Sequence, residues 1–195
     1  MKKLVLIILC VVGMYTVQGQ EKMQFTFLGG YEHFKSDSFN KTAGYGFGYD
    51  FKYYFYNKIY AVTNFHLGIY NDFIPRTAAS DIGDVDFSMH WKVREYKIGA
   101  GLGVDLLRLN EHKIYTQTTL GLSKIKQTEP IVYSYHPTVE VGVSNKYDLR
   151  YSMSASLGYD YRINKSIGIG LDYTGWWIYG IAYRSTCNAI VSFFF

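Results

Sequence analysis

Cysteine is nearly missing from this chain of 195 residues, which has only Cys10 and Cys187. Cys10 lies inside an N-terminal apolar run, so after removal of that run a single thiol would remain, and one thiol cannot build a disulfide scaffold. Proline is equally scarce, with 3 residues, and no Pro-rich linker divides the chain. One domain is the prior for a length of this order. After the N-terminus no apolar run approaches the roughly 18 residues of a membrane helix. The formal charge of +4 comes from basic residues interleaved with acids, and no block of Lys or Arg offers a nucleic acid a phosphate-binding face. The histidines His33, His66, His90, His112 and His136 are scattered, with no pair at zinc-ligand spacing. Neither a metal nor a cofactor is expected.

The N-terminus reads as an export signal. Met1-Lys2-Lys3 is a short positive segment, and Leu4 to Val12 is an unbroken apolar run too short to span a bilayer. Val17 and Gly19 then stand at the −3 and −1 positions of a cut after Gly19. Residues 1–19 are expected to be a cleaved signal peptide, leaving 20–195 as one domain. A lipoprotein signal would need its cysteine at the cleavage point, whereas Cys10 is mid-run.

Aromatic residues are abundant: 20 Tyr, 13 Phe and 3 Trp, beside 19 Gly. Their hydrophobicity is dispersed by alternation. Over residues 44–55 the odd positions are Tyr45, Phe47, Tyr49, Phe51, Tyr53 and Phe55, and the even ones are Gly44, Gly46, Gly48, Asp50, Lys52 and Tyr54. Period two over a dozen residues is a β-strand. One face is a solid aromatic stripe and the other is glycine plus charge. A soluble sandwich would carry long polar side chains on its outer face. In a small membrane barrel the apolar face meets lipid, and the inner face is polar and often small because the lumen of eight strands is only wide enough for side chains. The Gly-x-Gly-x-Gly segments lack the spacing of a dinucleotide-binding turn and sit inside strands.

The pattern repeats. Gly48-Tyr49-Asp50, Gly103-Val104-Asp105 and Gly158-Tyr159-Asp160 recur at constant spacing, and Lys58-Ile59-Tyr60 recurs as Lys113-Ile114-Tyr115. Such a period fits strand, short turn, strand and long loop. It predicts eight strands near 23–34, 42–55, 58–70, 92–107, 113–126, 150–162, 166–176 and 186–195. Short turns fall at Tyr56-Asn57, Leu109-Asn110-Glu111 and Ile163-Asn164-Lys165, and long loops at 71–91 and 127–149. Short turns at one end and longer loops at the other characterise outer-membrane barrels. Residues 138–147 also alternate, through Val139, Val141 and Val143. They extend a strand beyond the membrane in the eight-strand reading and form a separate membrane strand in the alternative, a ten-strand count.

Parity then sorts the side chains. The outward set runs from Phe25, Phe27 and the stripe of the second strand through Phe65, Leu67, Tyr96, Ile98, Leu102, Leu120, Leu122, Leu157, Tyr159, Ile169 and Leu171 to Val191 and Phe193, with no charge in it. The opposite face collects Glu32, Asp50, Lys52, Glu95, Lys97, Asp105, Asp160, Arg162 and Asp172. A Lys or Arg facing the bilayer midplane costs roughly 2–4 kcal/mol. The expected role of the inward charges is structural, with Asp50, Asp105 and Asp160 compensated by Lys52, Lys97, Arg162 or a Tyr hydroxyl, since an unpaired buried carboxylate is costly.

The signal, the eight-strand alternation, the Gly-x-Gly-x-Gly-x-Asp segments, the hairpin Gly158-Tyr159-Asp160-Tyr161-Arg162-Ile163-Asn164-Lys165 and the terminal Ser192-Phe193-Phe194-Phe195 together resemble the small outer-membrane β-barrel family of OmpA/OmpX type. The resemblance implies a closed, antiparallel, up-and-down barrel in the outer membrane of a Gram-negative bacterium. It also implies contact with outer-membrane lipid, and with the barrel-assembly machinery and periplasmic chaperones during biogenesis. The expected function is a structural or surface-interaction barrel with a filled lumen, whose loops 71–91 and 127–149 meet an extracellular partner. The alternatives are a narrow pore, or a lipid A-modifying enzyme, for which Ser88, His90 and Glu95 are the weakly spaced candidates. No catalytic residue is assigned.

Overall fold

The computed structural model describes residues 22–34, 43–80, 83–86, 88–134, 140–181 and 183–195. The expected signal peptide, 1–19, lies outside the described residues. Among the described residues ten strands follow one another: β1 (Met23–Phe34), β2 (Ala43–Tyr56), β3 (Ile59–Ile74), β4 (Thr77–Ser80), β5 (Gly83–Asp86), β6 (Met89–Leu109), β7 (His112–Ser134), β8 (Glu140–Arg162), β9 (Ile167–Ile178) and β10 (Arg184–Phe194). Eight of them close a barrel in the order β1-β10-β9-β8-β7-β6-β3-β2, and β4 and β5 form a separate two-stranded hairpin. Every barrel strand is antiparallel to its neighbours. The eight-strand reading is therefore the correct one.

Closure is made by β1 and β10, whose register runs from Gln24 opposite Phe194 to Phe34 opposite Arg184. An asparagine makes each of the three short turns, in one of two ways. Asn57 and Asn110 adopt positive φ, at 31° and 50°, a region that Asn tolerates better than most residues. Asn164 turns the chain with its side chain, whose Oδ1 accepts the amides of Ser166 and Ile167, both at 2.9 Å.

The long-loop expectations need correction. Residues 127–149 are mostly strand: β7 and β8 stay paired from Lys126 opposite Tyr147 up to Ser134 opposite Glu140. Exposed residues alternate on each strand, Ile131 and Tyr133 on β7 and Val141 and Val143 on β8, beyond the top of β6 and β9, so 140–147 extends a membrane strand, while 138 and 139 lie outside the described residues. Likewise 71–91 is not featureless, because β3 and β6 lengthen through Ile74 opposite Met89 and Thr77–Ser80 pairs with Gly83–Asp86.

Alternation places the two faces as the sequence predicts. Phe47, Leu102 and Leu157 are 53%, 58% and 55% exposed, whereas Asp50, Asp105 and Asp160 are at most 3% exposed. Phe51 is half-buried among its outward neighbours. Outward aromatics of adjacent strands form ladders, with Phe25 stacked on Tyr49 at 5.4 Å and Tyr49 on Phe65 at 5.6 Å.

The repeat has a packing cause. Tyr60 lies opposite Gly103 and Tyr115 opposite Gly158 in the ladders, both pointing inward with no exposed surface. Each glycine makes room for the facing ring: a Cβ on Gly103 would fall 2.3 Å from Tyr60 Cζ, and one on Gly158 2.2 Å from Tyr115 Cζ. By contrast, a Cβ on Gly29 would meet only the Phe47 ring, at 3.6 Å. Gly158→Ala should therefore lower the stability of the refolded barrel by about 1–3 kcal/mol, the usual cost of overpacking. Gly29→Ala should stay within about 0.5 kcal/mol. Urea unfolding in vesicles compares the two.

Candidate functional site

The barrel interior is where the charges and polar groups converge. Strand alternation aims every inward side chain at the same narrow axis, so residues far apart in sequence meet in stacked layers. At the short-turn end, Tyr54 donates to Gln24 Oε1 and Asp105 Oδ1, each at 3.3 Å. Asp105 also holds the Arg108 guanidinium. Asp160 accepts from Gln24 Nε2 at 2.9 Å and lies 3.5 Å from Lys113 Nζ. Arg162, assigned to the lumen by parity, is only half-buried at the mouth, its guanidinium 4.1 Å from the Phe194 ring centre. A recess of about 80 Å³ lies here, bordered by Arg108, His112, Lys113 and Arg162.

The middle layer is filled by Tyr60, Tyr115 and Lys52, all fully buried. Lys52 Nζ sits 3.4 Å from the Tyr115 ring centre and 5.2 Å from that of Tyr60, a cation–π geometry that gains strength when water is excluded. Asp50 accepts from Gln117 Nε2 at 2.6 Å. Asp172 accepts from Tyr115 at 3.1 Å and from Thr174 at 2.6 Å. Above it, Asn64, Thr119 and Ser154 form a hydroxyl and amide chain at 3.2 and 2.7 Å.

The upper layer is an ion network. Lys97 pairs with Glu32 and lies 3.6 Å from Glu95. His66 Nε2 is 3.0 Å from Glu32. Glu95 also receives Ser123 at 3.1 Å, Tyr70 at 3.3 Å and Arg184 Nε at 3.4 Å. The buried Trp176 indole lies beside Lys97, 4.9 Å away. An apolar layer of Tyr70, Val93 and Ile125, with Ile181 against it, covers the network.

The structure thus places Glu32, Asp50, Lys52, Glu95, Lys97, Asp105, Asp160 and Asp172 inside, and Asp105 has the expected Tyr hydroxyl, that of Tyr54, but the rest of the expected pairing needs correction. Lys97 serves Glu32 and Glu95, not the repeated aspartates. Asp105 and Asp160 are partnered by Arg108 and Lys113, and Asp50 by Gln117. Lys113 could have been found by parity, since it precedes the outward Ile114. Arg184 lies two residues before the expected start of its strand. Arg108 follows a register shift between Asp105 and Leu107, which breaks the parity that would have placed it.

The candidates for lipid hydrolysis do not converge. Ser88 Oγ accepts the Arg76 amide at 2.9 Å, and the Ser88 amide donates to Asp86 at 2.8 Å. These contacts with Ser88 hold the exposed Asp86 carboxyl below its usual range. His90 packs on Phe73, with ring centres 5.3 Å apart, and Glu95 is in the lumen.

The upper network gives a direct test. Lys97→Met leaves Glu32 and Glu95 buried with less compensation and should cost about 3–5 kcal/mol, as breaking a buried pair does. Adding Glu32→Gln should restore more than half of that loss. Urea unfolding followed by tryptophan emission measures both variants. Equal instability of the single and double variants would mean that Lys97 is needed for its shape alone.

No protein-family model matches the sequence, and no curated protein does. Solved structures do share the fold. Neisserial surface protein A, NspA, superposes with a TM-score of 0.62 at 13% identity, covering 91% of this chain and 100% of that one. Ail, the attachment invasion locus protein of Yersinia pestis, gives 0.56 at 13% identity, again over 91% and 100%. Ail in complex with the heparin analogue sucrose octasulfate gives 0.58 at 14% identity, over the same shares. The chain has the fold of the small, eight-stranded outer-membrane β-barrels.

Proposed function

We propose that the protein resides in the outer membrane of a Gram-negative bacterium as a rigid, closed barrel that anchors an extracellular interaction surface. The observation that carries this reading is the sorting of side chains. The outward side of the barrel is an apolar belt of exposed residues such as Phe47, Ile98, Leu102, Leu120, Leu157 and Leu171, while Glu32, Lys52, Glu95, Lys97 and Asp105 are buried inside. A water-soluble barrel has no reason to invert its faces in this way, and lipid gives one. A closed ladder also satisfies the backbone where no water is present.

The surface for a partner is the end opposite the short turns. There β7 and β8 rise as a paired arm, and β4 and β5 form a second hairpin. Binding commonly resides on such elements when a rigid scaffold carries them. The attachment protein Ail shares the fold, which fits this reading. Outer-membrane lipid is the surrounding partner, and the barrel-assembly machinery and periplasmic chaperones are the partners of biogenesis. An anchor is favoured over a pore because Tyr60, Tyr115, Lys52 and Lys97 occupy the lumen with no exposed surface. It is favoured over an enzyme because Ser88, His90 and Glu95 stand apart.

Two measurements on the refolded protein test this. In planar bilayers it should show no steady conductance, and stable single-channel steps would favour the pore. On unboiled gels it should migrate as a compact species that shifts on heating, and removing Phe193 to Phe195 should abolish the shift. Those residues carry the end of β10 that pairs with Gln24 and Phe25 of β1. A truncated chain that still shifts like the full one would contradict closure through β10.

A further inference from the structure

Above the lipid-facing belt, one sector of the outward surface changes chemistry. On β6 the exposed apolar residues Ile98 and Tyr96 are followed, at the same parity, by Arg94 and Lys92. On β7 Leu120 and Leu122 are followed by Lys124 and Lys126. The register brings these cations together: Arg94 lies directly opposite Lys126, Tyr96 opposite Lys124, and Lys92 opposite Thr128. Like charges facing each other across a ladder are destabilising, so the arrangement needs an anion to offset it.

Among the described residues, none supplies that anion. The flanking outward positions are Ile69 and Asn71 on β3, opposite Arg94 and Lys92, and Tyr147 and Leu149 on β8, opposite Lys126 and Lys124. None is acidic. Among the described residues, none of the four cations makes an ion pair. The nearby Asp148 belongs to the other face and is engaged by Arg150 at 2.8 Å. Arg94 is held in place through Nη1, which donates to Asn71 Oδ1 at 3.0 Å and to the Tyr70 carbonyl at 3.3 Å. Lys124 and Lys126 are steadied by the exposed Tyr147 ring, 5.5 and 5.7 Å from their Nζ atoms. Elsewhere the outer end presents neutral aromatics outward, among them Tyr31, Tyr45, Tyr173, Trp177 and Tyr183. Among the described residues, the outward basic patch is confined to β6 and β7.

We propose that Lys92, Arg94, Lys124 and Lys126 bind the phosphate groups of a phosphorylated lipid headgroup in the outer leaflet around the barrel. The inference rests on the membrane reading above. Position and charge select the occupant. The patch faces away from the barrel axis, next to residues that meet acyl chains, so its ligand must combine an acyl region with an anionic head at that height. Guanidinium and ammonium groups side by side suit a phosphate, the first by its planar fork and the others as point charges.

Native mass spectrometry of the detergent-purified protein tests this with three probes: bisphosphorylated lipid A, its fully dephosphorylated counterpart, and inorganic phosphate. The folded protein should retain the phosphorylated lipid in preference to the dephosphorylated one, and inorganic phosphate at equal concentration should not displace it. Lys92→Gln/Lys124→Gln/Lys126→Gln keeps the structural Arg94. It should weaken retention about a hundredfold, from about fivefold for each basic residue at a membrane surface. Lys22→Gln/Lys58→Gln/Lys165→Gln, removing an equal charge near the short turns, should leave retention unchanged. Equal retention by the first variant and the unaltered protein, no preference for the phosphorylated form, or displacement by inorganic phosphate would each overturn the proposal. Failure to enter lipid nanodiscs or to shift on heating would overturn the membrane reading with it. A protein that passes those two checks and still binds without regard to phosphate overturns the lipid site alone.

Discussion

Closure of the ladder between β1 and β10 is the constraint on which the rest depends. An open β-sheet edge in hydrocarbon would leave a row of amides and carbonyls without partners, at several kcal/mol each. Once the ring is shut, every strand has two neighbours and the faces are fixed by parity. A slip of one residue would turn the apolar stripe of β2 inward and Asp50 and Lys52 toward lipid. Register, closure and side-chain sorting are thus one condition.

Closing eight strands leaves an interior the width of side chains, which sets what can fill it. Tyr60 and Tyr115 each lie over a glycine on the adjacent strand, Gly103 and Gly158. The carboxylates that line the lower half are matched by Arg108, Lys113 and the ring-bound Lys52, and those of the upper half by Lys97 and Arg184. A dry interior makes each unmatched charge costly. It also makes the barrel a rigid support, which suits the proposed role of an anchor.

Much of this was legible in the sequence because period two is a strong signal wherever one side meets lipid. The stripe from Tyr45 to Phe55 fixed the facing of β2, and Asn57, Asn110 and Asn164 marked the short turns. Where the lipid stops, the signal weakens. Residues 127–149 read as a loop because polar residues at outward positions, Thr128 and Asn145, interrupt the apolar face, although the backbone ladder continues through them. The ion partners were legible only in part. Parity tells which side a residue faces, but not which of several inward cations reaches a given carboxylate across the lumen. Lys97 meets Glu32 from a strand that is not adjacent to β1, a proximity that follows from the curvature of the whole ring.

Neighbouring tryptophans on β9 offer the most direct measurement of the central claim, that the apolar outer face meets lipid and the polar face does not. Trp177 points outward and is 45% exposed, whereas Trp176 points inward and is 3% exposed. Variants that retain only one of the two, with the remaining tryptophans changed to Phe, can be refolded into vesicles whose acyl chains carry bromine near the headgroup end. The account predicts strong quenching of Trp177 emission and little quenching of Trp176. Equal quenching of both, or stronger quenching of Trp176, would contradict it.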